Sequence, residues 1–434
     1  GRPGSFDALL KAVDGARIKG IEPCAVICYD LLSPVENHPE LRITLQNVLN
    51  RPVSGTLSVK LAGLVLEPVT QSVTLAAHEA KTVAARVVDG ASSPQNLYPL
   101  TLHLDAGVDG SVRHAEDLRV NAIAKRTIAV DGDLGEWKDV PPQIVRAPSG
   151  GPSRTEAAWL PFKIDAATSN RNGYAEGYLA ADDDFFYIAV RALDATPHPG
   201  MPRYETLDED AYFYPATSTV ARLPKSRFPI FTQDDTETPR PLVWPEGVRR
   251  HSYRKDPELP SGNFPGRDNV QIAFNVLSPE QKPWDLCPPG TFPRYAVWAT
   301  TDYEFALNPV AERYGGGTEI WRLQAPGMPH KHFYPRQPKS PKDGAVKGGK
   351  LAMRHENGTR FVEAAIPWSE IPEAKAAREA GGTIKFSFRV NDDANDACLE
   401  LSRRRSVAQR SGNGSFTADW KEHWDNELEF AFQR

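Results

Sequence analysis

From Pro23 onward the chain is made of short runs in which apolar and polar residues alternate, each bounded by Pro, Gly, Asn or Asp: CAVICYD, LRITLQNVL, SGTLSVKLAGLVLE, QSVTLAAHEAKTVAARVV, YPLTLHLDAG and AEDLRVNAIAK. In the third run Leu57, Val59 and Leu61 alternate with Thr56, Ser58 and Lys60, which sends one face to a core and the other to water. Runs of this length and spacing predict a β-sandwich over residues 21–124. Residues 1–20 read differently. Leu9, Leu10 and Val13 fall at helical spacing, so this segment is a short amphipathic helix or the tail of a preceding domain.

A second series begins almost directly after AIAKRTIAV, without a Pro/Gly/Ser linker. TIAVDGDLGEW (127–137) predicts a strand, a turn at Asp131-Gly132 and a buried aromatic plug, Trp137. In AADDDFFYIAVRALD an acidic turn feeds a strand with Phe185, Tyr187, Ala189 and Arg191 on one face and Phe186, Ile188, Val190 and Ala192 on the other. RDNVQIAFNV, EAAIPWSEI and IKFSFRVNDDAND follow in order. Between them lie two stretches, 196–266 and 312–350, rich in Pro, aromatic and charged residues. Insertions this long inside a domain are usually functional or disordered, and the aromatic content argues against disorder.

Composition narrows the class. The chain has 434 residues, too many for one typical domain at ~150 residues each. Its 38 prolines and 32 glycines suit an all-β fold with many turns. A net charge of -5, without long single-sign blocks, gives no reason to expect nucleic acid as partner. No apolar run reaches the ~20 residues of a membrane span. The sequence opens at Gly1 with no basic-then-apolar leader, which suggests a processed chain or a fragment of a larger polypeptide. Cys24 and Cys28, if extended, lie roughly 13 Å apart, beyond disulfide reach. The four cysteines show neither a zinc spacing nor a disulfide framework.

Taken in order, the five motifs from DGDLGEW to IKFSFRVNDDAND resemble the family 9 carbohydrate-binding modules and their DOMON-like relatives, over residues 125–434. Residues 21–124 look like the immunoglobulin-like spacer sandwiches of multidomain glycan-processing proteins, with Asn47 and Asn50 flanking a turn before the second strand. The resemblance implies an all-β chain of two sandwiches that is secreted or at the cell surface. It further implies non-catalytic binding of a poly- or oligosaccharide, and a glycoside hydrolase domain as partner on the N-terminal side. It places the ligand cleft between aromatic walls at Phe264 and Trp420, with Trp424 close by, and hydrogen-bonding positions at Gln271, Ala306 and Asn308. The family's acid is here Gln271 and a basic position is here Ala306, which puts the usual sugar specificity in doubt. Trp244, in the first insertion, is a further candidate wall. Flat aromatic faces suit the C–H side of a pyranose, and planar polar groups suit its hydroxyls.

The resemblance also implies structural calcium. Asp182, Asp183 and Asp184, with Asp208-Glu209-Asp210 and Asn391-Asp392-Asp393, supply oxygen ligands of the right kind. The same clusters are ordinary turn formers, and both readings stand. Neither haem nor a nucleotide is expected. The three methionines sit in Pro-rich loops or beside MRHENG, and no dinucleotide or phosphate-loop fingerprint fits its context. Two other functions stay open: a structural spacer or assembly module without sugar binding, and a glycoside-active enzyme whose paired carboxylates lie in the insertions.

Overall fold

The computed structural model describes residues 22–146, 173–197, 203–206, 211–214, 219–222, 240–241, 249–252, 268–277, 302–310, 316–326, 336–337, 346–392, 397–401 and 428–434. These fall into two compact units, one within residues 1–122 and the other within 123–432.

The first unit is a sandwich of two four-stranded antiparallel sheets. Its strands are β1 (Cys24–Cys28), β2 (Glu40–Asn47), β3 (Val53–Leu61), β4 (Leu64–Glu67), β5 (Thr70–Leu75), β6 (Ala80–Gly90), β7 (Tyr98–Asp105) and β8 (Ser111–Leu118). One sheet runs β1-β2-β6-β4 and the other β5-β3-β7-β8. Leu41, Ile43 and Leu45 of β2 share a core with Leu57, Val59 and Leu61 of β3 and Leu100, Leu102 and Leu104 of β7. β1 is extended and both its cysteines are free thiols, as the spacing predicts.

Two of the predicted runs are each two strands. SGTLSVKLAGLVLE breaks at Gly63, whose φ of 80° opens a turn that sends β3 and β4 to different sheets. QSVTLAAHEAKTVAARVV breaks likewise at His78, with φ 60°. Asn47 fixes the turn after β2: its Nδ2 donates to the carbonyls of Arg51 (2.8 Å) and Ala76 (2.7 Å), and its Oδ1 accepts from the Leu49 N–H (2.9 Å).

The second unit opens with β9 (Ala122–Lys125), β10 (Gln143–Arg146), β11 (Tyr174–Ala181) and β12 (Phe185–Leu193). Among the described residues of the first insertion are the short strands β13 (Arg203–Thr206), β14 (Ala211–Tyr214), β15 (Thr219–Arg222), β16 (Arg240–Pro241) and β17 (Arg249–Ser252). Then come β18 (Asn269–Asn275), β19 (Tyr303–Pro309), β20 (Thr318–Gln324), β21 (Arg336–Gln337), β22 (Lys350–Glu356), β23 (Thr359–Pro367), helix α1 (Pro372–Glu379), β24 (Thr383–Asp392), β25 (Ala397–Glu400) and β26 (Leu428–Phe432).

Two layers result, β20-β19-β18-β24-β26 and β9-β11-β12-β23-β22, joined where β26 neighbours β9. The inward residues are those that the alternation selects. Phe186 of one layer meets Phe274 and Phe386 of the other, with ring centroids 5.0 and 5.4 Å apart, and Phe274 and Phe386 are themselves cross-strand neighbours at 5.1 Å. Phe388 packs over Gly177, where even a methyl group would come within 2.4 Å of the ring. No helix among the described residues is long and apolar enough to cross a membrane.

One predicted strand is absent. Residues 127–130 form no strand, and Leu134–Trp137 is a 3-10 turn. Side chains take over the backbone hydrogen bonding. Glu363 Oε2 accepts from the N–H groups of Asp131 (2.8 Å) and Gly132 (2.9 Å), and Glu136 Oε2 accepts from Ala129 (2.9 Å). Trp137 is buried as predicted, packed with Ile128, Val140, Tyr187 and Ala189.

Candidate functional site

The outward face of β20-β19-β18-β24 is where the candidate residues converge. A strand's side chains alternate between faces. Because Val270, Ile272 and Phe274 enter the core, Asn269, Gln271 and Ala273 point the other way. The same logic turns Glu304, Ala306 and Asn308 of β19 outward, along with Ser387 and Arg389 of β24 and Glu319 and Trp321 of β20.

The register aligns these positions. Arg389 pairs with Gln271, Gln271 with Ala306, and Ala306 with Trp321, so one row crosses four strands. In the neighbouring row Asn308 lies opposite Glu319. Arg389 NH1 donates to Gln271 Oε1 (3.4 Å), and Asn308 Nδ2 donates to Glu319 Oε1 (3.0 Å). Ala273 and Ala306 are small, which leaves width between the polar groups.

This face is polar yet shut off from solvent. Gln271 and Arg389 are each 1% exposed and Asn308 is 0% exposed. Outward residues of a sheet ordinarily meet water. Gln271 Nε2 has no hydrogen-bond partner among the described residues. An unmet buried donor costs about 1–3 kcal/mol, and such a group calls for an explanation.

The sequence positions Gln271, Ala306 and Asn308 therefore do share one face. Glu319, one of the carboxylates in the second insertion, joins them there, as do Arg389, Trp321 and Asn269, which the sequence motifs did not single out. The signal for Arg389 was available: in KFSFRV the polar Ser387 and Arg389 alternate with core residues. Phe264, Trp244, Trp420 and Trp424 lie outside the described residues, as do Asp208-Glu209-Asp210 and most of both insertions.

The aspartate turn between β11 and β12 is described in full. Asp182 Oδ1 accepts from the N–H groups of Asp184 and Phe185, both at 2.8 Å, and its Oδ2 accepts from the Tyr187 hydroxyl at 2.7 Å. Partial burial works against ionisation, but hydrogen bonds from Tyr187 and the two amides outweigh it and hold the carboxyl below the ordinary aspartate range. Asp183 is exposed and pairs with Arg378 (2.9 Å). Asp182 thus acts as a turn former, with both oxygens engaged. Trp368, buried at 3%, closes the turn by donating to the Asp182 carbonyl (3.0 Å).

No family model and no curated protein matches the chain. Among solved structures, similarity is found to a family 9 carbohydrate-binding module from Caldicellulosiruptor kristjanssonii in complex with cellotriose, at 12% identity over 72% of this chain and 93% of that one, with a TM-score of 0.30. A putative carbohydrate-binding protein from Bacteroides uniformis is 10% identical over 72% of this chain and 99% of that one, with a TM-score of 0.31. A FixG-related protein from Vibrio parahaemolyticus is 16% identical over 23% of this chain and 98% of that one, with a TM-score of 0.18. The two-layer β-sandwich rests on the strand pairing and cores described above.

Proposed function

We propose that the chain binds carbohydrate without chemically altering it, through the outward face of β20-β19-β18-β24. The observation that carries this reading is Gln271: a buried amide whose Nε2 lacks a partner among the described residues, set in register between Arg389 and Ala306. A sugar hydroxyl accepts from such a donor and donates to a neighbouring oxygen, removing the desolvation cost. Asn308 and Glu319 supply further planar partners, and Trp321 an aromatic ring beside Ala306. The motif order in the sequence supports the same assignment and adds Phe264, Trp420, Trp424 and Trp244 as proposed aromatic walls. Secretion or cell-surface display alongside a glycan-degrading enzyme belongs to this proposal.

One observation favours a second reading. The face is buried, and a spacer or assembly module needs no access to it, whereas a glycan does. Retention of the purified chain on insoluble polysaccharides and on a glycan array, with calcium and with chelator, separates the two. A specific hit with no release of reducing sugar supports the binding reading. A blank across plant, algal and microbial glycans supports the spacer, and accumulating reducing sugar would make the chain an enzyme.

A further inference from the structure

We propose that Cys28, His114 and Glu116 form a binding site for a divalent transition-metal ion of the zinc class, clasping the two sheets of the first unit at their edges. The three side chains bring one sulfur, one nitrogen and one oxygen within 4.8 Å of one another. β1 is the edge strand of one sheet and β8 the edge strand of the other. The site exists only because the sandwich brings these edges together.

Register shows that all three residues point inward. Cys28 lies opposite Ile43, and His114 and Glu116 lie opposite Leu102 and Leu100, all three partners being core residues. The other inward positions of β8, Val112 and Leu118, are apolar and buried, and Cys28 itself packs against the core. A thiol, an imidazole and a carboxylate therefore occupy places that the alternation reserves for hydrophobic side chains. Polar groups at such positions are costly unless partnered. His114 Nε2 and Glu116 Oε1 are 2.9 Å apart, and the Cys28 thiol hydrogen-bonds to the same carboxylate, so the three groups partner one another in a single polar cluster at the edge of an apolar core.

The donor set fits the ion. Thiolate, imidazole and carboxylate together suit zinc, with bonds of about 2.0–2.3 Å. Tetrahedral coordination at those lengths sets donor–donor distances of roughly 3.3–3.6 Å, which side-chain rotation reaches from the present spacing. All three residues are half-buried, so water can take the fourth position. On binding, the Cys28 S–H bond breaks, the sulfur keeps the electron pair and bonds to the metal, and the proton passes to solvent. Burial and the neighbouring Glu116 carboxylate hold the free thiol protonated, so the metal must displace that proton. The ligands are 86 and 88 positions apart along the chain, by subtraction of 28 from 114 and 116, which is why no zinc spacing is visible.

Cobalt(II) and zinc(II) added to the chelator-treated full chain test the site. One equivalent of cobalt should give a sulfur-to-cobalt charge-transfer band in the near ultraviolet. The band should vanish in Cys28→Ser and persist in Cys24→Ser, and Glu116→Gln should weaken cobalt binding at least tenfold. Zinc should displace the cobalt and raise the melting temperature of the wild type but not of Cys28→Ser. Circular dichroism identifies a variant that fails to fold, in which case the wild type and Glu116→Gln decide. No sulfur band in the wild type, a band unchanged in folded Cys28→Ser, or full cobalt affinity in folded Glu116→Gln would overturn the proposal.

Discussion

Trp137 donates its indole N–H to Glu363 Oε1 across 2.7 Å, joining residues 226 positions apart in the chain. The other oxygen of the same fully buried carboxylate accepts the N–H groups of Asp131 and Gly132. One side chain on β23 therefore ties both the Asp131-Gly132 turn and Trp137 to the sheet. In Glu363→Gln one of these donors must face an amide NH2, so we expect a loss of about 2–3 kcal/mol in denaturant unfolding. A change under about 0.5 kcal/mol would show that the segment is held by packing alone.

Gly177 is required by the opposite sheet. A methyl group at this position meets Phe388 Cε1 at 2.4 Å and Cζ at 2.6 Å, and Phe388 is itself fully buried. Gly177→Ala should cost about 1–3 kcal/mol through overpacking. Gly177→Ala combined with Phe388→Leu should recover part of that loss, a coupling that a double-mutant cycle measures directly.

The Asp182 turn should make stability acid-sensitive. Its folded pKa lies below the ordinary aspartate value because Tyr187 and two backbone amides bond the ionised form. The unfolded chain therefore binds the proton more readily. The stabilisation is fully present above the ordinary value, about 3.9, and is lost as pH falls through the depressed folded value. Asp182→Asn should flatten the decline in melting temperature below about pH 4 relative to the wild type. An unchanged acid limb would contradict this assignment.

Strand positions and faces were legible where alternation is local. The two faces of 185–192 and the inward set of β3 follow directly from a two-residue period. Three things were not. Gly63 and His78 each hide a turn inside an apolar run, because one residue with positive φ leaves little compositional trace. The 127–131 segment carries a strand's pattern, but its Ala129 and Asp131 N–H groups go to the side chains of Glu136 and Glu363, the latter far along the chain. The polar face of β18, β19, β20 and β24 was only partly visible. Gln271 and Asn308 came from motif order, while the row joining Arg389, Gln271, Ala306 and Trp321 depends on register between strands separated by up to 118 positions.

The most direct test of the central claim is glycan affinity of the wild type against Gln271→Ala, measured by affinity electrophoresis in the best-retained soluble polysaccharide, with melting temperature recorded in parallel. We predict retarded migration of the wild type and a loss of about tenfold in affinity for Gln271→Ala that has folded, the size expected for one hydrogen bond of ~1.4 kcal/mol. A wild type that no glycan retards, or a Gln271→Ala variant that binds as tightly as the wild type, would contradict the account.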